Sequence, residues 1–467
     1  MSLLNKNFNI FLLTALLAVA AVGGYPRQNN PGIVAVSRYS AHNKESVDLE
    51  EGAGQTGWFL LPCKQITVKD NLRFIFFRDR SSTTTVIKIF IKGGKSCEPE
   101  GKRGLAVITS GLSIAVPDAA QTGKLMELGA IFSSQVNEDY SVITIKCLSK
   151  NLRETLRILT GVMKKPLFST LRINNIKKNL ESRQKSEQED PGQLSELIVR
   201  NTFFPGSGYA GSIYGDSDSL KNIKKKDVVD FYKKYVNTAN MTLSVCSDMD
   251  DAQIKRIINA HFSGFPAGEA GRAEPVSVSI PVRDKRVATV VKDRKQTLTC
   301  FAFLLPRITP DHFALAFLLE DFLGKGAGSR LWRLRSVHEL AYGLDASLTQ
   351  LRDAGILKIY VKTGSKKKER AYQLLKKFVT GLRGDGIGAA ELETAKVHAK
   401  AEFLRMNETK ENRALHHGYF EILGLRSGFV HDFFSQVDQI TLEQINDYIK
   451  KVFAPANMLE IRIGPGV

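Results

Sequence analysis

The sequence predicts an α+β fold built twice: two duplicated half-domains, each a mixed or antiparallel sheet packed with helices. Three observations predict it. The first is an internal repeat. "DFYKKYVNTANMTLSV" (230–245) recurs as "DYIKKVFAPANMLEIRI" (447–463), with Asp230 and Asp447, and Ala239 and Ala456, each 217 residues apart. That period is far too long for a solenoid and marks duplication of a whole domain. The second is apolar alternation at strand period, as in "TTTVIKIFIKGG", interleaved with amphipathic helical stretches. The third is size: 467 residues with 43% hydrophobic content are too many for one ordinary domain and enough for a sizeable core.

Along the chain, Lys6 precedes an apolar run from Ile10 to Val22, and small residues follow to Gly24. This is the pattern of a secretory signal peptide over 1–24, with an uncleaved anchor or an organelle presequence as the other two readings. The run is shorter than the roughly 20 residues of a membrane span. Residues 25–54 are polar with Pro, Asn and Gly, which suits a flexible tether. The first half-domain, 55–265, opens with "FIFFRD" and the strand before Gly93-Gly94. It continues through helices to a strand at Tyr140–Cys147, long charged helices from about Asn151 to Arg200, and a closing strand at Met241–Val245. A linker rich in Gly, Ala and Pro follows at 266–285. The second half-domain, 286–467, repeats the plan: strand "TLTCFAFLLP", helix "HFALAFLLEDFLG", a glycine loop, a helix, strand "LKIYVKT", long charged helices and a final strand.

The formal net charge is +18, a balance that favours acidic partners such as an acidic protein or an anionic surface. No basic stripe interleaved with aromatics and no nucleic-acid motif is present, so nucleic acid is not the expected partner. Five cysteines (Cys63, Cys97, Cys147, Cys246 and Cys300) allow at most two disulfides and leave one thiol over. There is no Cys-x-x-Cys pair, and Cys147 and Cys246 sit in apolar strand patterns expected to be buried.

Three stretches carry a family resemblance. They are "FIKGGKSCEPEGKRGLA" (90–106), the duplicated half-domain with its linker, and "FLGKGAGSRLWRLRSVHELAY" (322–342). In their order and spacing they resemble the pitrilysin/insulinase-type (M16) metallopeptidases, in the branch of the mitochondrial processing peptidase and the bc1 core proteins. The resemblance covers the chain apart from its N-terminal leader. It implies a LuxS-like fold that closes as a clam-shell when two such chains pair.

The chain departs from that family where the metal belongs. The family places H-x-x-E-H directly after Gly-Leu-Ala; here Val107-Ile108-Thr109-Ser110-Gly111 stands instead. An inverted zincin site needs two imidazoles a helical turn apart, a Glu between them as base, and a distal carboxylate. Val107 and Gly111 offer no lone pair, and Ser110 cannot replace a carboxylate base. Glu181, Glu187 and Glu189 lie roughly where the distal ligand would be, and His261 is the single histidine of the first half. No metal is expected in this chain.

Other family features are kept. Arg335 and Tyr342 stand seven residues apart, at the family's spacing. The resemblance implies that they contact peptide and stabilise a developing oxyanion at a zinc site supplied in trans, work suited to a guanidinium and a phenol. Without the resemblance, Arg335 is a surface helix residue and Tyr342 a strand cap. The glycines Gly324, Gly326 and Gly328 form either a flexible loop closing a helix or, as the family implies, a loop facing substrate; no phosphate-loop layout surrounds them. His416 and His417, with Glu421 one turn on, read as ordinary helix residues, and His338 could line a chamber.

The function implied is that of a zinc-less, substrate-binding subunit of an exported heterodimeric M16-type peptidase acting on short unfolded peptides. An H-x-x-E-H subunit would supply zinc. The expected compartment is the periplasm in a Gram-negative source and otherwise the exterior or cell surface. The other expectation is a non-enzymatic structural or peptide-binding protein of an envelope complex.

Overall fold

The computed structural model describes residues 63–67, 72–271, 276, 278, 286–326, 328–338 and 343–467. The predicted signal segment, the tether, much of the 266–285 linker and Tyr342 lie outside the described residues. Leu61–Val467 forms one compact unit, and no described helix is long and apolar enough to cross a membrane.

The first sheet and its helices run β1 (Lys64–Thr67), β2 (Arg73–Arg78), β3 (Thr84–Ile91), α1 (Leu105–Ser113), α2 (Ala119–Glu127), β4 (Ile131–Val136), β5 (Ser141–Leu148), α3 (Leu152–Lys164), α4 (Thr170–Glu189), α5 (Pro191–Phe203), α6 (Ser217–Asn222), α7 (Lys225–Tyr235), β6 (Met241–Ser247) and α8 (Asp251–Phe262). The second set runs β7 (Val287–Val291), β8 (Gln296–Leu305), α9 (Pro310–Gly324), α10 (Arg330–His338), β9 (Gly343–Gln350), β10 (Gly355–Gly364), α11 (Lys368–Asp385), α12 (Ala389–Met406), α13 (Lys410–Ile422), α14 (Phe429–Gln439), α15 (Leu442–Val452) and β11 (Met458–Gly464).

Among the described residues the strand orders are β1-β2-β6-β3-β5-β4 and β7-β11-β8-β10-β9. Apart from β1 they match strand for strand. The pairs β2–β6 and β7–β11 are parallel and the remaining pairs antiparallel, so the mixed sheets and the duplication are both realised. The repeated Ala-Asn-Met explains itself here. Asn240 Nδ2 donates to Lys92 O (2.9 Å) and Tyr235 O (2.8 Å). Asn457 Nδ2, 217 residues later, donates to Leu304 O and Val452 O, both at 2.9 Å. Each amide clips the end of a helix to the end of a neighbouring strand. Both asparagines are buried, where an unmet carbonyl would be costly.

Side chains alternate across each strand, and the two faces are covered differently. On the first sheet, Phe74, Phe76, Ile87, Ile89, Ile143, Leu243 and Val245 pack with residues of that half's own helices α1, α3, α4, α7 and α8. The opposite face, Ile75, Phe77, Val86 and Cys246, is closed by α13 through Ala414. The second sheet shows the reciprocal arrangement. Leu298, Cys300, Ile356, Leu459 and Ile461 form one cluster with Val199, Phe203 and Phe204 at the end of α5. Each half thus lends a helix to the other. Full burial of one large apolar side chain contributes about 1.5–3 kcal/mol, so uncovering Ile75, Phe77, Val86 and Phe90 would cost an amount comparable to the whole net stability of a domain, about 5–15 kcal/mol.

Charged side chains fix the register of the lent helices. On α13, Arg413 pairs with buried Asp79, and Lys410 Nζ donates to Ser82 O (2.7 Å) and Thr84 O (2.9 Å). On α5, Glu196 pairs with Lys358 of β10, and Arg200 lies 2.8 Å from Glu138. The cysteines are all unpaired thiols, with Cys147, Cys246 and Cys300 buried; burial pushes the Cys147 thiol up to about 11 and those of Cys246 and Cys300 up to about 12.

His416 and His417 ride on α13 into this interface. His416 Nδ1 is 2.9 Å from Asn407 Oδ1, and His417 Nδ1 is 2.9 Å from Ser427 O. The His417 ring lies 4.5 Å from that of Phe77. Burial, with the Lys88 charge beside His416 and His431 beside His417, lowers their pKa values to about 4 and about 3.

Two predictions follow from the lent helix. A Cβ on Gly418 would stand 2.0 Å from Phe90 Cε2. Gly418→Ala therefore lowers stability by about 1–3 kcal/mol in urea titrations, because overpacking forces helix and sheet apart. The second concerns pH. Above pH 6.5 both histidines are neutral in either state and their contribution is complete. As pH falls through 6.5 the unfolded chain binds protons that the folded chain refuses, and stability is lost until pH passes the folded values. Urea midpoints measured between pH 7 and pH 4 should fall more steeply for the native chain than for His416→Gln/His417→Gln.

Candidate functional site

The family-like turn 90–106 is built for close approach. A Cβ on Gly94 would stand 2.4 Å from Tyr140 N and 2.5 Å from Asn137 O, so only glycine lets the end of β3 pass beneath the β4–β5 turn. Gly104 has φ +94° and is the N-cap of α1. Glu98 supplies the missing cap: its Oε1 accepts from Gly104 N (3.0 Å) and Ala106 N (2.8 Å). Burial pushes the Glu98 carboxyl up to about 8, against the two backbone donors and the charges of Lys95 and Arg103. The buried Lys95 ammonium donates to Tyr209 O (2.8 Å) and Gly211 O (2.9 Å). Acid, lysine and glycines together aim α1.

On α1, Val107, Ser110 and Gly111 occupy positions i, i+3 and i+4, one helix face. Val107 is half-buried and Ser110 buried. The Thr109 and Ser110 hydroxyls have no hydrogen-bond partner among the described residues. At Gly111 a Cβ would stand 3.8 Å from Ile176 Cδ1 of α4, an ordinary van der Waals contact. Of the three acids on α4, Glu181 and Glu189 are exposed, and Glu189 is paired with Lys292 (3.2 Å) and Arg294 (2.5 Å). Glu187 is buried; burial raises its pKa despite a hydrogen bond from Ser212 and the charges of Arg200 and Lys95. These residues do not fit zinc, since the face that should hold it carries a methyl pair, a hydroxymethyl and a hydrogen. Among the described residues no group of three His, Cys, Asp or Glu could hold a metal.

In the second half the corresponding segment is α9, the glycine loop and α10. Gly324 and Gly326 have packing reasons to be glycine. A Cβ on Gly324 would stand 2.7 Å from Ala346 N. On Gly326, with φ +75°, it would stand 2.8 Å from His398 Nε2, whose Nδ1 is 2.7 Å from Asp321 Oδ2. Gly328 has open space around it. A guanidinium clamp holds α10: Arg330 meets Glu391 of α12 in a fork (3.0 and 2.8 Å) and donates to Gly386 O (2.7 Å), and Arg333 reaches the same carboxylate (3.1 Å). Leu331 is fully buried. That anchoring leaves Arg335 exposed, together with Trp332, 46% exposed and one turn earlier on the same face. Trp332 stands in the sequence as an aromatic inside a basic run, and its spacing from Arg335 is what turns it into a candidate contact. The side chains of His338 and Tyr342 lie outside the described residues.

Both helices stand beside terminal strands, and on β9 two backbone donors are already engaged, Leu348 N by Glu320 Oε1 of α9 (3.1 Å) and Ala346 N by Asp345 Oδ1 (2.8 Å). β4 is the terminal strand of the first sheet and packs with α1; β9 is the terminal strand of the second and packs with α9 and α10. An edge strand offers a row of backbone donors and acceptors that an extended peptide can pair with.

Comparison with known proteins agrees in both halves. The insulinase (peptidase family M16) model matches residues 73–216, and the peptidase M16 inactive-domain model matches residues 222–397. A Helicobacter pylori protein named a non-peptidase homolog, YmxG, is 26% identical over 376 residues, 78% of this chain and 85% of that protein. A crystal structure of a peptidase M16 inactive domain from Pseudomonas fluorescens superposes with a TM-score of 0.78 at 21% identity, covering 87% of this chain and 98% of the other. Subunit 1 of the mitochondrial cytochrome b-c1 complex of Bos taurus is 20% identical over 212 residues, 44% of each chain.

Glu98 gives a sharp test of how α1 is held. Its pKa is raised in the fold, so its contribution is complete below the unfolded carboxyl value near 4.5 and is lost as pH rises through about 8. Between pH 5 and pH 9 the urea midpoint of the native chain should decline relative to that of Glu98→Gln, which keeps an acceptor and never ionises. Glu98→Ala, which removes the cap, should be about 1–3 kcal/mol less stable than Glu98→Gln.

Proposed function

Because the chain belongs to the insulinase-type (M16) peptidase family, we propose that it is the non-catalytic, substrate-binding subunit of an exported heterodimeric zinc peptidase acting on short peptides. The observation that carries this reading is the divided condition of its two helix-and-edge units. In the first half the α1 frame is kept by Gly94, Glu98 and Gly104, while Val107, Ser110 and Gly111 leave nothing to bind zinc. In the second half α10 is clamped so that Arg335 and Trp332 face outward beside the β9 edge. A partner subunit with H-x-x-E-H supplies zinc, base and water. This chain supplies half of the chamber, an edge on which an extended peptide pairs, and from Arg335 and Tyr342 the donors that meet a carbonyl oxygen as it gains charge.

A second reading is a non-enzymatic structural or peptide-binding protein of an envelope complex. The non-peptidase designation of the Helicobacter pylori relative and the place of the bovine relative in the cytochrome b-c1 complex favour it.

The test is affinity purification of the tagged chain from its native envelope fraction. A stoichiometric partner carrying H-x-x-E-H is expected, and with it peptide hydrolysis that neither chain performs alone. In that complex Arg335→Ala should lower kcat/KM by roughly 10- to 1,000-fold, the scale for loss of an oxyanion donor. Trp332→Ala should act mainly through KM. Recovery without such a partner, or full activity in Arg335→Ala/Tyr342→Phe, would remove the peptidase-subunit reading in favour of the second.

A further inference from the structure

Away from α1 and α10, the first half carries a cavity of about 270 Å³ between the starts of α3 and α8. It sits where β5 and β6 end and lead into those two helices. A run of hydroxyls holds the strand ends side by side, Thr85 Oγ1 lying 2.8 Å from Ser149 Oγ and 2.6 Å from Ser247 Oγ. Lys150 and Arg153 line the cavity from the α3 side and Arg256 from α8, with the polar side chains of Ser149 and Gln253 between them and Ile257 as an apolar wall.

No carboxylate lines this cavity among the described residues, and none pairs with Lys150, Arg153 or Arg256. The nearby acids are each engaged, two of them by residues of the cavity wall, Ser149 and Gln253. Glu154 holds Arg157, Asp248 accepts from Ser149, Asp250 caps α8 through Gln253 N, and Asp251 pairs with Lys64. The positive field shows in a neighbour. His261 of α8 is held below the ordinary imidazole range by burial and then by the charges of Arg153, Lys164 and Arg157.

We propose that this cavity is a binding site for a phosphate dianion, either inorganic phosphate or the monoester phosphate of a lipid headgroup. Two guanidiniums and one ammonium around one small space match the charge and the several acceptor oxygens of a phosphate better than the single charge of a carboxylate. The lining has no aromatic ring on which a base could stack, so a bare phosphate is the recognised unit. The site stands apart from the M16 helix frame and does not depend on the peptidase reading.

The experiment is calorimetric titration of the full-length chain with inorganic phosphate, at ionic strength held constant with chloride. Saturable heat is expected for phosphate. Lys150→Gln, Arg153→Gln and Arg256→Gln should each weaken it by about fivefold, the factor for one exposed charge contact. The triple variant should abolish it, and Lys225→Gln, an exposed lysine on α7, should leave it unchanged. Thermal midpoints confirm that each variant is folded. Flotation with phosphatidylcholine vesicles containing phosphatidic acid separates the two sources. Flotation of the native chain but not of the triple variant assigns the headgroup, and failure of both to float assigns free phosphate. Absence of saturable heat with phosphate, or heat unchanged in the folded triple variant, overturns the proposal.

Discussion

Each of the two sheets has two apolar faces, and the half that makes a sheet covers only one of them. The other face is closed by a helix lent across the molecule, α13 onto the first sheet and α5 onto the second. Much else in the chain answers to that exchange. Gly418 is glycine because α13 must lie on Phe90. His416 and His417 are neutral because they are carried beneath that helix, and Asp79 is buried because Arg413 arrives with it. Breaking one partner of a buried pair of this kind typically costs about 3–5 kcal/mol, so the pairs fix where each lent helix sits even where they add little net stability.

The same dependence accounts for a metal-site frame without metal chemistry. Gly94, Glu98 and Gly104 set the path from β3 into α1, and α1 is packed into the main core of the first half through Leu105, Ala106, Ile108 and Leu112. Losing the ligands on the Val107 face leaves that packing intact. Losing the turn would unseat a core helix. The packing of α1 therefore rests on the turn and on its apolar face, and is independent of what stands on the Val107 face.

Much of the fold was legible in the sequence for reasons the structure makes physical. The 217-residue repeat could be seen because Asn240 and Asn457 each satisfy an equivalent pair of carbonyls, a task that suits a short amide side chain. The departure at Val107, Ser110 and Gly111 was legible because metal ligation allows few residue types. The helix exchange was not, since apolar periodicity in α5 and α13 says that a face is buried and is silent on what buries it. The short strands β1 and β7 carry too few residues to show a period. His417 reads as an ordinary helix residue because part of its burial comes from Phe77, more than 300 positions away. The cavity cations are likewise assembled only by the fold, Arg256 lying about a hundred residues beyond Lys150 and Arg153.

The lent helix also orders events during synthesis. A ribosome delivers the whole first sheet by Ser247, yet the helix that closes its second face ends at Ile422. At translation rates of about 5–20 residues per second, the nascent chain spends on the order of ten seconds or more with Ile75, Phe77, Val86 and Phe90 unshielded. Such a chain cannot mature one half at a time. Its early intermediate presents a flat apolar surface, the kind of surface that holdase chaperones cover and that otherwise draws one unfinished copy onto another.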